Sequence, residues 1–446
     1  MLDWEKLGSG NARSPKIIFS AYSTTTLKMA GGLMQLVAYG AQDVYLTGNP
    51  EVTFFQAKYK RHTNFAMENI EQTVNGTAAN SGRVSVTVAR NGDLVGDMYL
   101  ELESDIAATK TTDAGDCNFV AERAINNVEL SIGGQRIDKH YQKWWRMYSE
   151  LYLDESKKAT WGKMTTAADG KTVYLPLVFF FNRNPGLYLP LIALQYHEVR
   201  IDFDLASDME VFLNKSVFRV WANYIYLDTE ERRRFAQKGH EYLIEQVQHT
   251  GTDTVTTSAT KQVRLSYNHP VKELVWCFSN VNTKNSLWNF TTASTDANIV
   301  LESDQTAIEG SNCFVPTALA GAPLVQVGTG GGASAFTEEA VGPLDTFKLV
   351  LNGQDRFKEQ KGKYFNQVQP YNHHTGSPYP GIYSYSFALK PEEHQPTGTC
   401  NFSRIDNAQV AVKMNAAGNA TSMHMFATNY NVLRIQSGMG GLAFSN

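Results

Sequence analysis

The chain has 446 residues, a formal net charge of −4 and a composition that is 42% hydrophobic, 11% aromatic and 19% charged. This composition indicates a globular protein, because disordered chains have fewer aromatic and more charged residues. The near balance of 40 basic and 44 acidic residues, without a long basic run, argues against sequence-independent binding of nucleic acid. The length exceeds what one hydrophobic core usually serves, so we expect two domains.

Cysteine spacing and hydropathy exclude further classes of protein. The cysteines Cys117, Cys277, Cys313 and Cys400 lie far apart without a Cys-x-x-Cys pair, so neither a zinc site nor a disulfide framework is indicated. No apolar run approaches the roughly 18 residues that a membrane-spanning helix needs. The first residues also lack the apolar segment of a signal peptide. We therefore expect a soluble, intracellularly made protein with reduced thiols.

The start of the chain contains two different segments. Residues 1–28 show neither strand nor helix periodicity and form an atypical extension. Residues 29–52 form an arm in which apolar and small side chains recur at intervals of three and four, which predicts a short amphipathic helix that ends at Gly48-Asn49-Pro50. Its stripe consists of Leu33, Leu36, Val37, Gly40, Ala41, Val44 and Tyr45. Such a helix is marginal alone in water, so it must lie either beneath its own two domains or against another component of an assembly.

The remainder of the chain reads as two copies of one domain. Ile70-Glu71-Gln72 recurs as Ile244-Glu245-Gln246, and each copy is followed by segments in which apolar and polar residues alternate, as half-buried strands do. Four further landmarks recur in the same order: Gly133-Gly134 with Asn352-Gly353, Pro185-Gly186 with Pro380-Gly381, Arg200-Ile201-Asp202 with Arg404-Ile405-Asp406, and Tyr224 with Tyr430. The sequence thus predicts an internal duplication.

The alternation and the long connections predict the fold of each copy. About eight alternating segments suit two packed antiparallel sheets, and the jelly roll is the best match among common sandwiches. We therefore expect an all-β fold of two tandem eight-stranded antiparallel jelly rolls with short helices and long loops. The first would span 53–229 and the second 241–446, joined by a linker at 230–240. One helix is predicted within 143–155, where Trp144, Met147, Tyr148 and Leu151 recur at helical spacing.

One strand segment carries a group of polar residues that resembles a catalytic cluster. The stretch "QYHEVRIDFDL" (195–205) holds His197, Glu198, Asp202 and Asp204. On a strand, Asp202 and Asp204 share a face with Arg200, and the apolar residues share the other. A solvated or interface face is the favoured interpretation, since a zincin site needs two histidines at i and i+4 on a helix.

Other motifs also favour a structural interpretation. His373 and His374 are adjacent and make a poor chelate on a strand, although a loop could gather them with His394 to bind a metal. The stretch "GTGGGAS" (328–334), within a loop-like region at 280–343, lacks the lysine of a phosphate-binding loop. The charged stretch "EERRRF" (230–235) is predicted to be a solvated linker. We expect no catalytic centre, no cofactor and no required metal.

Five sequons offer asparagines for glycosylation, at Asn75, Asn214, Asn289, Asn401 and Asn419. Asn289 is the expected acceptor, because it lies in the loop-like region at 280–343. Asn401 is expected to be buried.

Several long stretches are motifs typical of one protein family: "MAGGLMQLVAYGAQDVYLTGNPEVTFF" (29–55), "RHTNFAMENIEQT" (61–73), "IGGQRIDKHY" (132–141), "PGLYLPLIALQYHEV" (185–199), "LNGQDRF" (351–357), "GTCNFSRIDNA" (398–408) and "NVLRIQSGMGGLAFSN" (431–446). Together, from Met29 to Asn446, they resemble the major capsid proteins of nucleocytoplasmic large DNA viruses, most closely those of algal viruses. Residues 1–28 depart from the pattern, because such proteins typically begin near a sequence like that at Met29. We expect the working protein to begin there.

The resemblance implies a non-enzymatic structural protein of the virion, made in the host cytoplasm. It implies a double jelly roll, three copies of which form a pseudo-hexagonal capsomer that tiles an icosahedral shell. The implied partners are further copies, minor capsid proteins and an inner membrane reached through the arm, with no direct contact to nucleic acid. The alternative from the residues is a carbohydrate-binding or carbohydrate-processing double β-sandwich, whose enzymatic form needs paired carboxylates at one cleft.

Overall fold

The computed structural model describes residues 59–105, 119–166, 171–255, 259–279, 343–378, 381–414 and 422–444, with short pieces at 33–34, 37–38, 40–43, 53–56, 299–300 and 326–327. The chain divides into two units, Met1–His62 and Thr63–Asn446. The predicted extension at 1–28 and the stretch "GTGGGAS" lie outside the described residues. In the described part, no helix is both long and apolar enough to cross a membrane.

The first jelly roll is built from two antiparallel sheets. Its strands are β1 (Phe65–Gln72), β2 (Val74–Asn75), β3 (Arg83–Thr87), β4 (Leu94–Ser104), β5 (Ile125–Ile132), β6 (Gln135–Tyr141), β7 (Thr172–Pro176), β8 (Leu189–Pro190), β9 (Val199–Leu205) and β10 (Leu213–Leu227). Sheet A has the order β1-β10-β4-β7, with β8 paired to β4, and sheet B has the order β2-β3-β9-β5-β6. First and last strands are therefore neighbours, as in a jelly roll.

The second jelly roll repeats this strand order. Its strands are β11 (His240–Thr254), β12 (Lys261–Leu265), β13 (Pro270–Ser279), β16 (Leu344–Leu351), β17 (Gln354–Asp355), β18 (Gln360–Lys361), β19 (Ile382–Ser386), β20 (Cys400–Asn401), β21 (Ala408–Met414), β22 (Ser422–Gln436) and β23 (Met439–Leu442). A separate ribbon joins β14 (Ile299–Val300) to β15 (Gln326–Val327). Sheet C has the order β11-β22-β13-β19, and sheet D has the order β12-β21-β16-β17. The predicted all-β fold of two tandem antiparallel jelly rolls is confirmed, and short strands such as β2, β8, β17 and β20 bring each described jelly roll above the expected eight strands.

Among the repeated words of the sequence, the hairpin turns occupy equivalent places in the two jelly rolls and the others do not. Arg200-Ile201-Asp202 lies in β9, whereas Arg404-Ile405-Asp406 ends before β21 begins. Pro185-Gly186 precedes β8, whereas Gly381 precedes β19, which pairs with β13 as β7 pairs with β4. Gly133-Gly134 and Asn352-Gly353 both turn hairpins with positive φ at each residue, as a type I′ turn requires. Ile70-Glu71-Gln72 and Ile244-Glu245-Gln246, however, are not in register. Glu71 lies opposite Trp221, whereas Glu245 lies opposite Tyr430, and the matching Tyr224 lies opposite Glu68. A three-residue match cannot fix register, because register is set by the hydrophobic pattern of the whole strand and by the geometry of its turns.

Helices occupy the connections between strands. They are α1 (Val120–Arg123), α2 (Gln142–Tyr152), α3 (Glu155–Thr165), α4 (Phe180–Arg183), α5 (Met209–Phe212), α6 (Thr229–Gln237) and α7 (Gln369–His373), with 3-10 turns at Pro185–Leu187 and Phe402–Arg404 and a π-helical turn at Tyr364–Val368. The helix predicted within 143–155 is α2, which buries Trp144, Met147 and Leu151. Helix α3 was missed because it shows little apolar periodicity. The stretch predicted as a solvated linker forms α6, which has no buried residue.

Candidate functional site

At the junction between the two jelly rolls, sheet C of the second jelly roll is buried on both of its faces. In sheet C, β13 is buried without interruption from Val271 to Phe278, and β22 is buried from Met423 to Asn431. In sheet A, by contrast, the buried residues of β4 alternate with the exposed Asp97 and the half-buried Tyr99. Sheet C is covered by the first jelly roll, because its Val275, Cys277 and Phe426 pack with the first core.

Helix α2 supplies the cover over sheet C. The ring of Phe426 on β22 lies 5.8 Å from the ring of Trp144 and 5.7 Å from that of Tyr141, measured between centroids. His249 on β11, opposite Phe426 in the ladder, stacks on it at 4.4 Å. Burial and the nearby Lys143 lower the pKa of His249. Since α2 directly follows β6, the sequence places this cover at the end of the first sheet-B hairpin.

A buried ion pair network crosses the junction. Nη2 of Arg183, at the end of α4, lies 2.9 Å from Oε2 of Glu245, and Nζ of Lys272 lies 2.8 Å from Oε1 of the same carboxylate. Burial alone raises the pKa of Glu245, but the two cations outweigh it and lower the pKa. Burial lowers the pKa of Lys272 to about 8. Charges this deeply buried are stable only while paired, so the network ties the two jelly rolls together.

A second buried network adjoins the first. Nε2 of His374 lies 3.1 Å from Oε2 of Glu273, and its Nδ1 lies 3.3 Å from Oε1 of Glu392. Burial opposes a charge on His374, but Glu273 and Glu392 raise its pKa to about 9. The edge of the imidazole meets the ring of Tyr152 from α2 at 5.3 Å. The imidazolium therefore lies directly beneath the first jelly roll.

Backbone groups complete the junction. Asp138 of β6 accepts a hydrogen bond of 3.0 Å from the amide of Val247, and Gln246 donates to the carbonyl of Ile137. The edge of β11 is thereby satisfied by the first jelly roll instead of by a further strand. Gly376 donates 3.0 Å to the carbonyl of Leu151 at the end of α2.

The outer face of sheet A carries an exposed counterpart of the buried face of sheet C. Trp221 precedes Ala222 on β10 as Phe426 precedes Ala427 on β22, and it stacks on Tyr99 at 6.5 Å. Trp221 donates 2.6 Å to Glu101, and Glu71 lies opposite it with half of its side chain exposed. On the edge strand β1, every residue from Phe65 to Asn69 is exposed. Here the described structure leaves an aromatic and acidic surface uncovered.

The predicted strand face of Asp202 and Asp204 is confirmed. Asp202 accepts hydrogen bonds of 2.6 Å from Ser85 and 2.8 Å from Arg200, and it pairs with Arg83 at 3.1 Å. Although burial opposes it, these bonds lower the pKa of Asp202. Asp204 pairs with Arg83 at 3.7 Å. Because arginines pair with both carboxylates, Asp202 and Asp204 do not form the open pair of acids that a glycosidase needs.

The candidate histidines are separated by the structure. Nδ1 of His373 lies 3.0 Å from the carbonyl oxygen of Leu389, whereas the adjacent His374 belongs to the buried network. His394 is half-buried, and burial lowers its pKa. His197 accepts 3.1 Å from the amide of Gly440 and so fastens β23 to the first jelly roll, while its neighbour Glu198 is exposed. Among the described residues, no three His, Cys, Asp or Glu side chains gather as a metal site would require.

The structure describes only part of the arm and of the sequons. Leu33 and Val37 are helical with 47% and 70% of their surface exposed, and Ala41 is also exposed. Leu36, Val44 and Tyr45 lie outside the described residues, as do Asn289 and Asn419. Asn75 is exposed, and Asn214 donates 3.1 Å to Glu103. The expectation that Asn401 is buried is wrong: it is exposed and accepts 3.1 Å from the amide of Ser403 as the cap of a 3-10 turn.

Sequence reasoning missed the residues of the junction. Arg183, Lys272 and Glu273 stand in segments whose patterns predict only strand or turn, and nothing in their spacing marks them as partners. One signal was available, because Lys272-Glu273 places two charges within β13, which is otherwise nearly continuous in apolar residues. Buried charges in such a strand require partners, and these are Glu245 and His374 of the same jelly roll, with Arg183 of the first jelly roll also on Glu245.

Comparisons with known proteins place the chain in a family. The family model for the "Large eukaryotic DNA virus major capsid protein" matches residues 231–441, and the model for the "Major capsid protein N-terminus" matches residues 53–228. The chain is 46% identical to the major capsid protein of Paramecium bursaria Chlorella virus 1 over 94% of this chain and 100% of that protein. It is 41% identical to the major capsid protein of Phaeocystis pouchetii virus over the same shares.

Solved structures agree in fold. A chain of the quasi-atomic model of the PBCV-1 virus capsid superposes with a TM-score of 0.70 at 41% identity, covering 88% of this chain and 100% of that one. The Faustovirus major capsid protein superposes with a TM-score of 0.65 at 12% identity over 91% of this chain and 96% of its own, a likeness of fold alone. The relatives are structural proteins of capsids and not enzymes. The chain therefore belongs to the major capsid protein family of large eukaryotic DNA viruses.

Proposed function

We propose that the protein forms a homotrimer of pseudo-hexagonal outline, the capsomer that tiles an icosahedral capsid. The supporting observation is the unequal burial of sheets A and C. Sheet C is covered by the first jelly roll of its own chain, whereas no described residue covers the outer face of the equivalent sheet A. A contact of this kind joins two different surfaces, so each chain ends with one free surface of each kind.

Such a contact repeats from chain to chain. If the first jelly roll of one copy meets the second jelly roll of the next as the two meet within a chain, successive copies add jelly rolls around an axis. Three chains supply six similar units, and six units close a ring with sixty degrees between neighbours. Closure leaves no free surface of either kind, which explains why the assembly stops at three.

Light scattering coupled to size exclusion tests the trimer. We expect the mass of three chains at micromolar concentration, with no accumulation of dimers, because a closed ring gains an extra contact when its last member enters. A stable monomer at high concentration would contradict the proposal. It would also revive the carbohydrate-binding alternative, for which a solitary double sandwich suffices.

The arm at 29–52 is proposed to line the inner side of the capsomer, where it meets minor capsid proteins or an underlying membrane. The exposed apolar side chains of Leu33 and Val37 support this, since such side chains need a surface to cover them. Deletion of residues 30–50 is then expected to leave folded trimers that fail to enter closed shells. If the deletion prevents folding, the arm is part of the core.

Two finer features stay proposals of the same kind. Synthesis in the host cytoplasm is the first, and it is supported by membership in this family of capsid proteins. Asn289 is the proposed acceptor if the protein is glycosylated, and a glycopeptide map of virion protein tests this directly.

A further inference from the structure

The two jelly rolls present equivalent ladder positions on their outer faces, each between the edge strand and its neighbour. In sheet C, His249 lies opposite Phe426, and in sheet A, Glu71 lies opposite Trp221. The first position carries a half-buried histidine, whereas the second carries a carboxylate with half of its side chain exposed. Phe426 is covered by a segment that also contacts His249. A segment that covers Trp221 in the same way would contact Glu71.

The start of helix α2, which covers Phe426, has a counterpart in the second jelly roll. Lys143-Trp144-Trp145 follows the hairpin of sheet B, and Lys363-Tyr364-Phe365 follows the hairpin of sheet D. Trp145 and Phe365 are both fully buried in their own cores. Beyond them, Val368 and Tyr371 are 43% and 87% exposed, three positions apart in the helical segment. The second jelly roll thus carries a short helical segment like α2, but with nothing described lying over it.

Charge distinguishes the two free surfaces. The described outer face of sheet A carries Glu71, Asp97, Glu101 and Glu103, and Arg219 pairs there with Glu101 at 2.9 Å and with Glu71 at 3.9 Å. The segment from Arg356 to Lys363 carries four cations, of which Arg356, Lys358 and Lys363 make no ion pair with any residue in the described part of the chain. An acidic aromatic face and a basic aromatic segment are complementary, which favours contact between copies and orients it.

We infer that in the trimer the outer face of sheet A is covered by residues 363–373 of a second copy, with Lys363 of that copy paired to Glu71. The inference rests on the proposed trimer and names its contact surfaces. Within the chain, Lys143 lies near His249. Between copies, Lys363 takes the place of Lys143 and Glu71 takes the place of His249. The arrangement that places Lys143 beside His249 inside the chain would place Lys363 beside Glu71 between chains, where the two form an ion pair next to Trp221.

Charge reversal tests this contact. Glu71→Lys and Lys363→Glu each place like charges together at all three contacts of the ring, so each is expected to weaken trimer association at least tenfold in light scattering. The double variant, with both reversals in one chain, is expected to recover the trimer. Glu230→Lys, on α6 with a side chain 79% exposed, is the matched control and is expected to remain trimeric.

Disulfide cross-linking tests the same contact without reversing a charge, so its result does not depend on the charge-reversal variants folding. Glu71→Cys combined with Lys363→Cys is expected to give disulfide-linked trimers on a non-reducing gel, whereas Glu230→Cys combined with Lys363→Cys is not. The inference is overturned if the single reversals assemble like the unaltered protein, if the double variant is not rescued, or if the cysteine pair gives no link. A monomeric unaltered protein instead defeats the trimer itself, so the two failures are distinguishable.

Discussion

Arg183 of the first jelly roll donates a hydrogen bond of 2.9 Å to Glu245 of the second, and Lys272 holds the other oxygen of that carboxylate at 2.8 Å. The Arg183–Glu245 pair ties the two jelly rolls into one folding unit, because Arg183 loses this partner if they separate, whereas Lys272 and Glu245 belong to the same jelly roll. The jelly rolls are therefore expected to unfold together, in a single transition.

Removal of the carboxylate tests the strength of this tie. Glu245→Ala leaves Lys272 buried without its counterion and is expected to lower the free energy of unfolding by about 3 to 5 kcal/mol. Glu241→Ala is the control on the same strand, since Glu241 pairs with Arg434 at the surface and should cost below about 1 kcal/mol. Urea unfolding of both variants measures the difference, and equal costs would contradict the role of the network.

His374 predicts a loss of stability in mild alkali. Its pKa is raised from 6.5 to about 9 by Glu273 and Glu392 against the effect of burial. The folded chain therefore holds a proton between these values that the unfolded chain lacks, so its contribution is full below pH 6.5 and lost as the pH rises through 9. Above pH 8 the lowered pKa of Lys272 acts in the opposite direction, so the window from 6.5 to 8 is the cleanest.

The variant His374→Gln isolates this effect. Between pH 6.5 and 8 the unaltered protein is expected to lose on the order of 1 to 2 kcal/mol that the variant does not lose. Thermal unfolding across this range provides the measurement. Parallel curves for the two proteins would show that the imidazole carries no charge in the folded chain.

His424 predicts the opposite behaviour in acid. Burial, with Lys143 and His249 nearby, lowers its pKa from 6.5 to about 3, and its ring nitrogens meet Thr252 at 3.2 Å and Ser279 at 2.9 Å. The unfolded chain binds a proton in this window and the folded chain does not, so stability falls as the pH drops from 6.5. His424→Gln is expected to show a shallower decline between pH 6 and 4, whereas an unchanged decline would mean that the imidazole is protonated when folded.

Gly376 predicts a steric limit at the junction. A side-chain carbon added there would lie 2.3 Å from the carbonyl oxygen of Glu150 at the end of α2. Gly376→Ala is therefore expected to separate α2 from the second jelly roll and to cost about 1 to 3 kcal/mol. At Gly239 the nearest atom would be 3.7 Å away, so Gly239→Ala serves as the tolerated control. If both variants melt alike, the close approach of the two jelly rolls is not a constraint.

Sequence patterns predicted the fold because a half-buried strand shows its alternation locally. The confirmed hairpins at Gly133-Gly134 and Asn352-Gly353 likewise depend on residues that lie side by side in the chain. The junction was beyond such reasoning, since the pairing of Arg183 with Glu245 depends on how two sheets meet. The register of Glu71 was also missed, because a repeated word of three residues does not determine which partners face it across the ladder.

The proposed trimer depends on one contact, that between the two jelly rolls of a chain, which is repeated between chains until a ring of six units closes. Electron microscopy of the purified full-length protein, with class averages viewed along the particle axis, tests it most directly. We expect a closed ring of six lobes with three-fold symmetry, in which two kinds of lobe alternate. Averages that show a solitary pair of lobes, or an open chain of pairs, would contradict it.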